Sequence, residues 1–417
     1  MSPRDGTDWD VVVVGAGPAG AATALGALAA EPSLRVLLLD RADFPRDKTC
    51  GDGIAPHAVD VLRGVGAGDV VAGWAPVRRL EISRGDPAAG HAVAGTMSRP
   101  AWVVPRAVLD ARLVDRAVAA GAVLRRRRVG PLTRDGDRVV LDDGTTARVL
   151  VGADGAHSGV RAGLDTGRAG RRALAVRGYV PTQPGWRGRQ VIRFGARRQP
   201  AYAWAFDRGD GLANVGYGEL VGDVPLSRAL LLEQLERLLP GATAEPGVRW
   251  LGHHLPLSGW RWDQPDGPVL LAGDAAGLVN PMTGEGIYYA VATELAAGRA
   301  AAAAIKDGVP ESAGQRYAAA VRPLLDRHLR HVRFAAWLCR RGPLVDAGLR
   351  ASAAEQPVFD DLVELGLARG RITPALARGL ARELTRDLTD ELTGATARRT
   401  TTTPTQTRHE ERASCES

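Results

Sequence analysis

The stretch 10–40 constrains this chain more than any other. It opens at 11–14 with four consecutive valines and no polar alternation, the pattern of a strand buried on both faces. Gly15-Ala16-Gly17-Pro18-Ala19-Gly20 follows at once. This G-x-G-x-x-G spacing predicts a tight turn at Gly15, backbone approach to a pyrophosphate at Gly17, and close helix-on-strand packing at Gly20. A helix starting near Pro18 aims its free N–H groups and positive dipole end at phosphate. Residues 35–39 predict the second parallel strand, closed by Asp40. A carboxylate there accepts from a ribose 2′-hydroxyl and repels a 2′-phosphate, so the expected nucleotide is FAD or NAD rather than NADP.

A length of 417 residues allows two or three domains' worth of core, and 45% hydrophobic with 24% charged residues fits a soluble globular protein. The net charge of +7 is carried almost wholly by arginine. It reads as scattered surface charge, with attraction to lipid headgroups or diphosphates as the other reading. The basic run 125–128 falls in a predicted strand with no interleaved aromatics, so no nucleic-acid partner is expected. Cys50, Cys339 and Cys415 are odd in number and far apart. They offer neither a disulfide framework nor a metal pair, which points to a reducing cytoplasm. His328 and His331 have helical spacing but no third ligand, so they read as surface helix residues, and no metal is expected. The amino terminus lacks the apolar segment of a signal peptide, and the Ala-rich run 296–305 is broken by Arg299. Any membrane contact is therefore expected to be peripheral.

In chain order, Arg46 and Lys48 place cations after the second strand. Cys50-Gly51-Asp52-Gly53 then reads as a tight turn whose glycines admit something flat. Residues 57–70 predict a helix, and 77–104 three short antiparallel strands. A helix over 106–120, a strand over 123–129 and a hairpin turning at Asp143-Gly144 lead to Asp154-Gly155. Residues 173–219 are β-rich and aromatic, and 228–238 predict an amphipathic helix. A third buried strand at 269–271 ends in Gly273-Asp274. The loop then reaches Gly284-Glu285-Gly286-Ile287 and a long helix to about Lys306. Helical periodicity fills 312–393, and from Gly394 the composition is that of disorder.

Three separated motifs, GAGPAG at 15–20, GADG at 152–155 and GDAAGLVNPMTGEGI at 273–287, together resemble FAD-dependent oxidoreductases built like para-hydroxybenzoate hydroxylase. Within that superfamily, KTCGDGIAPHAVDVL and GDAAGLVNPMTGEGIYYA resemble the geranylgeranyl reductase family. The segment Tyr202-x-Trp204-x-Phe206 resembles its YxWxFP motif, with Asp207 in place of the final proline. The implied fold is α/β: a Rossmann-like FAD-binding domain in three pieces (8–76, 102–172, 265–310). An inserted antiparallel β-sheet substrate domain (77–101, 173–264), a helical region (311–393) and a disordered tail (394–417) complete it.

The resemblance implies that Gly15, Gly17, Pro18, Ala19 and Gly20 hold the FAD pyrophosphate and Asp40 the ribose. Arg41, Arg46, Cys50, Gly51, Arg106 and Val129 lie along the cofactor. Asp154 and Gly155 support the phosphate loop, and Gly273 and Asp274 meet the ribityl chain. Gly284, Gly286 and Ile287 bring backbone N–H groups to the pyrimidine edge of the flavin. Tyr202, Trp204 and Phe206 share one strand face by their i, i+2 spacing and would wall an isoprenoid pocket, or form an ordinary core face. Cys50 is a candidate for proton delivery or flavin tuning, or simply fills a turn. The implied activity is reduction of isoprenoid C=C bonds by hydride from flavin N5. A flavin monooxygenase or a non-enzymatic flavin-binding protein are the alternatives on the same scaffold. The electron donor is expected to be NAD(P)H or a ferredoxin-like protein.

Overall fold

The computed structural model describes residues 7–85, 92–164, 170–259, 262 and 264–400, with the side chains of 390–400 left aside. The chain begins β1 (Asp8–Val14), α1 (Pro18–Ala30), β2 (Val36–Asp40), β3 (Gly53–Ile54), α2 (Pro56–Arg63), β4 (Pro76–Arg84) and β5 (Ala92–Val103). It continues through α3 (Arg106–Ala119), β6 (Val123–Arg126), β7 (Leu132–Asp135), β8 (Arg138–Leu141), β9 (Thr146–Gly152) and α4 (Gly159–Gly163). Next come β10 (Arg172–Pro181), β11 (Arg189–Phe194), β12 (Ala201–Asp207), β13 (Leu212–Leu220), α5 (Arg228–Leu238) and β14 (Leu251–Pro256). The last part is β15 (Val269–Leu271), α6 (Ile287–Lys306), α7 (Ala313–Leu338), α8 (Gly342–Ala354), α9 (Gln356–Leu367) and α10 (Pro374–Thr400).

Two sheets carry the fold. In the first, β1 lies between β2 and β9, parallel to both, β15 adds to β9, and the β7–β8 hairpin closes one edge. The valines of β1 are buried on both faces: Val11 and Val13 pack under α1 and α6, Val12 and Val14 against Leu37, Leu39 and Leu150. That is why the run shows no polar alternation. Helices α1 and α6 meet almost backbone to backbone, since a Cβ on Gly298 would sit 2.1 Å from the Thr23 carbonyl oxygen. The second sheet has the order β14-β10-β13-β12-β11-β4-β5-β3, antiparallel apart from the β11–β4 pair. Helices α8 and α9 cover β5 through a core containing Val345, Leu349 and Phe359.

Three expectations need correction. The region 77–104 makes two strands, because β5 runs unbroken past Pro100. Its pairing with β4 jumps from Thr96 to Ala101, so Pro100 sits in an irregularity where no ladder N–H is required. His328 is not on the surface: it is 3% exposed, and its Nδ1 donates to the Gly370 carbonyl at 2.7 Å while Nε2 accepts from Tyr289. A carbonyl only accepts, which fixes the tautomer, and burial pushes the imidazole pKa down, so it stays neutral. His331 is half-buried, and its Nδ1 accepts from the Ile372 N–H at 3.3 Å, so both histidines fasten α7 to the turn before α10. Finally, α10 continues to Thr400, past the Gly394 at which disorder is expected; the remainder of that tail, 401–417, lies outside the described residues.

Candidate active site

Three strand ends converge at one edge of the first sheet. Val14 and Leu271 both stand in register with Gly152, so the turns at Gly15, Asp154-Gly155 and Gly273-Asp274 lie side by side. This carboxyl end of adjacent parallel strands is where open α/β sheets bind ligands. Gly15 has φ +101°, and its absent Cβ would collide with the Ala153 carbonyl at 2.3 Å, so only glycine permits this join. Gly17 caps α1 with no side-chain acceptor, leaving that helix's first N–H groups to face the turn.

Two guanidiniums stand over this helix start. A Cβ on Gly17 would lie 3.6 Å from Arg46 and 3.8 Å from Arg106. Asp110, fully buried, holds both: Arg106 is bidentate at 2.7 and 2.9 Å, and Arg46 reaches it at 3.0 Å. Positive dipole and two fixed cations make a cradle for a diphosphate, and the residues fit the FAD pyrophosphate. Asp40 spends part of its acceptor capacity on the protein. One oxygen takes the Ala16 N–H at 2.9 Å, the other the Ala42 N–H at 3.0 Å. The first oxygen also meets the Arg46 guanidinium at 3.5 Å, so it is the second that keeps a lone pair for a ribose hydroxyl.

Beside the cradle, Asp154 does not point at the cavity. It accepts from the N–H groups of Gly159 and Val160 at 2.7 and 3.3 Å and so fixes the start of α4. Asp274 does face the cavity. Burial alone would raise its carboxyl, but the His253 imidazole, 3.9 Å away, and the Lys48 ammonium outweigh this and hold it below the usual range. Glu294, fully buried on α6, accepts from the Gly273 N–H at 2.8 Å, Thr293 at 2.9 Å and Tyr317 at 3.0 Å, and burial pushes it up to about 7. It therefore props the Gly273 turn from below.

A cavity of about 540 Å³ runs from these turns between the second sheet and the C-terminal helices. Gly17, Pro18, Ala19, Arg106 and Gly155 line one end. Cys50, Gly51, Asp274, Gly284, Gly286 and Ile287 line the middle. Tyr202, Trp204 and Phe206 form one wall from β12, with successive ring centroids 6.0 and 6.5 Å apart. The far end is apolar, with Leu338, Leu349, Leu362, Leu380 and Leu384 from four helices. Of the expected residues, Arg41 is exposed and Val129 packs beside the core of the first sheet; neither lines the cavity. Tyr288 and Tyr289 are buried in the helical core and do not line it either.

The turn 50–53 is tied to the aromatic wall by a polar network that the sequence reading missed. Asn214 accepts from Trp204 Nε1 at 2.9 Å and donates to the Cys50 carbonyl and to Asp52, both at 2.8 Å. Tyr179 donates to the same Asp52 oxygen, and Arg177 donates to the Lys48 carbonyl at 3.1 Å. Asp52 is fully buried with φ +61°, and burial pushes its carboxyl up to about 6 against the pull of Tyr179 and Asn214. An acidic residue between two glycines was the available signal. Burial likewise pushes the Cys50 thiol up, so it keeps its proton at neutral pH. Glu285, on the cavity wall, is pushed up to about 7 by burial and accepts from the Tyr288 N–H at 2.8 Å. Asp207, standing where the motif has proline, holds its turn by accepting from Gly188, Gly209 and Thr182 at 2.6, 3.1 and 3.0 Å.

Fold and site together define an FAD-dependent oxidoreductase, and the FAD binding domain family matches residues 8–187. The chain is 36% identical over 333 residues to a menaquinone reductase of Mycolicibacterium smegmatis, covering 72% of this chain and 77% of that protein. It is 32% identical over 324 residues to digeranylgeranylglycerophospholipid reductase 1 of Methanopyrus kandleri, covering 72% and 82%. A geranylgeranyl bacteriochlorophyll reductase-like structure from Thermoplasma acidophilum superposes with TM-score 0.73 at 18% identity, over 92% of this chain and 99% of that one. The chain belongs to the geranylgeranyl reductase family of flavoproteins.

Proposed function

We propose that the protein saturates C=C bonds in the isoprenoid chain of a lipid, with FAD at the three strand-end turns and the chain in the apolar arm of the cavity. The observation that carries this reading is the continuity of one cavity from the Gly17 cradle, past Cys50 and Gly286, to the leucines of the C-terminal helices. Relatives named for menaquinone and for digeranylgeranylglycerophospholipid support a substrate with a long apolar chain.

In this reading Gly17, Pro18, Ala19, Arg46 and Arg106 hold the pyrophosphate, Asp40 the ribose and Asp274 the ribityl hydroxyls. Reduced FAD supplies the hydride when bound. The N–H groups at the start of α6, at Gly286 and Ile287, would favour the negative charge that a reduced flavin carries. An isolated alkene is not electrophilic, so a proton must arrive at one carbon as hydride reaches the other. Cys50 Sγ, Tyr202 Oη and, in part, Glu285 Oε are cavity-wall groups that hold a proton near neutral pH. The faces of Tyr202 and Trp204 stabilise positive character on carbon, and the apolar walls exclude water. The donor of electrons to FAD is NAD(P)H visiting transiently or a redox protein.

The test is anaerobic incubation of the photoreduced protein with geranylgeranyl diphosphate and with a prenylated quinone, followed by mass spectrometry. The reading expects a gain of two mass units per reduced bond. A product that appears only after air enters, with added oxygen, overturns it in favour of a monooxygenase.

A further inference from the structure

Helix α7 carries an outer face that no other described element covers. Leu324, Arg327, Arg330, Phe334, Trp337 and, just beyond the helix, Arg341 recur every three or four residues, which puts them on one stripe, and all six are exposed. Phe334 and Trp337 are 47% and 42% exposed and stack with ring centroids 5.7 Å apart, while the Arg341 guanidinium lies over the Trp337 ring at 4.5 Å. Between 322 and 341 the sole carboxylate is Asp326, against exposed Arg322, Arg327, Arg330, Arg340 and Arg341. Aromatic rings with arginines on both sides are the composition of a helix lying in a membrane interface.

The same helix is a wall of the cavity. Phe334 and Leu338 line it, and Leu380 and Leu384 of α10 complete that end. Phe334 is thus both exposed and part of the lining, so the apolar interior reaches the surface at the stripe. Among the described residues no helix is long and apolar enough to cross a membrane, so contact through this face would be with one leaflet.

We propose that this face of α7 docks the protein on an anionic lipid bilayer, with Phe334 and Trp337 at the boundary between headgroups and acyl chains and Arg327, Arg330 and Arg341 at headgroup phosphates, opening the cavity to the leaflet. The charge complementarity and the continuity with the cavity select this partner over a second copy of the same basic face. The proposal takes from the preceding section only that the cavity receives an apolar chain. Its test involves no turnover, so it fails or survives separately from the proposed reaction.

Sedimentation of the FAD-loaded protein with vesicles of phosphatidylcholine alone, or mixed with phosphatidylglycerol, reads the docking directly. Binding should require the anionic lipid and weaken about ten-fold or more between 0.1 and 0.5 M salt. Trp337→Ser should lower it about ten-fold, and the triple change Arg327→Gln, Arg330→Gln, Arg341→Gln by more, with FAD content and melting temperature retained. Brominated lipid should quench the wild type's tryptophan fluorescence more than that of Trp337→Phe. The double change Arg125→Gln, Arg128→Gln, at exposed positions in and just after β6, should leave binding intact. No binding to the anionic vesicles overturns the proposal. So does equal loss in the Arg125/Arg128 variant, which would mean that net charge alone acts. A wild-type dimer that Trp337→Ser dissociates also overturns it, assigning the face to a second copy.

Discussion

The two ends of the cavity are built by opposite means. At the cofactor end, backbone does most of the work: Gly15, Gly17 and Gly273 bring the chain close, and a few buried charges such as Asp110 and Arg106 hold it. At the apolar end, where the proposed substrate chain would lie, side chains from β12, α7, α8, α9 and α10 make a surface with few polar anchors. The first kind of site tolerates almost no change in residue type at a given position. The second depends on summed shape, which many sequences satisfy.

This contrast orders the expected effects of mutation. Arg106→Gln strikes the cofactor end hardest. It leaves the buried Asp110 with Arg46 alone, a cost below the about 3–5 kcal/mol of a wholly unpaired buried charge, and should strip FAD from the purified protein, read by absorbance and by thermal melts with and without added cofactor. Retention of FAD at wild-type affinity would break the account of the cradle.

Glu294→Gln tests the prop beneath Gly273 through pH. A carboxyl raised from 4.5 to about 7 in the folded protein contributes stability that is full below pH 4.5 and lost as pH rises through 7. The total is on the order of 3 kcal/mol. The variant cannot ionise, so its melting temperature should decline less than the wild type's between pH 5 and 8. Parallel decline in both would show that Glu294 is ionised in the folded state.

Trp204→Phe sharpens the other side of the comparison. It keeps a ring in the wall but leaves Asn214 Oδ1 without its donor, costing about 1–3 kcal/mol. The FAD content should stay full while kcat/KM for the proposed prenyl substrate falls; loss of FAD instead would place Trp204 at the cofactor end. Smallest in energy, Cys50→Ser should retain fold and cofactor yet shift the number of double bonds reduced. Unchanged kinetics and products would assign Cys50 to the turn alone.

Legibility in the sequence follows the same division. The stretch 10–40 showed its strands and helix because buried parallel strands and glycine turns leave local signatures. Tyr202, Trp204 and Phe206 could be placed on one face because strand periodicity is two. His328 was misread because helical spacing does not say which face is covered, and its partner Gly370 lies forty-two residues away. Asp52, Asn214 and Tyr179 escaped notice for a similar reason: the three meet only when β10 and β13 pass over the turn 50–53. Pro100 suggested a break that the β4–β5 irregularity absorbs.

The central claim, that the cavity presents an alkene to reduced FAD, is tested most directly by anaerobic stopped-flow. Photoreduced protein is mixed with a geranylgeranyl lipid while the flavin absorbance is followed. The account predicts reoxidation without oxygen, at a rate lowered in Trp204→Ala. Flavin that stays reduced until air is admitted would contradict it.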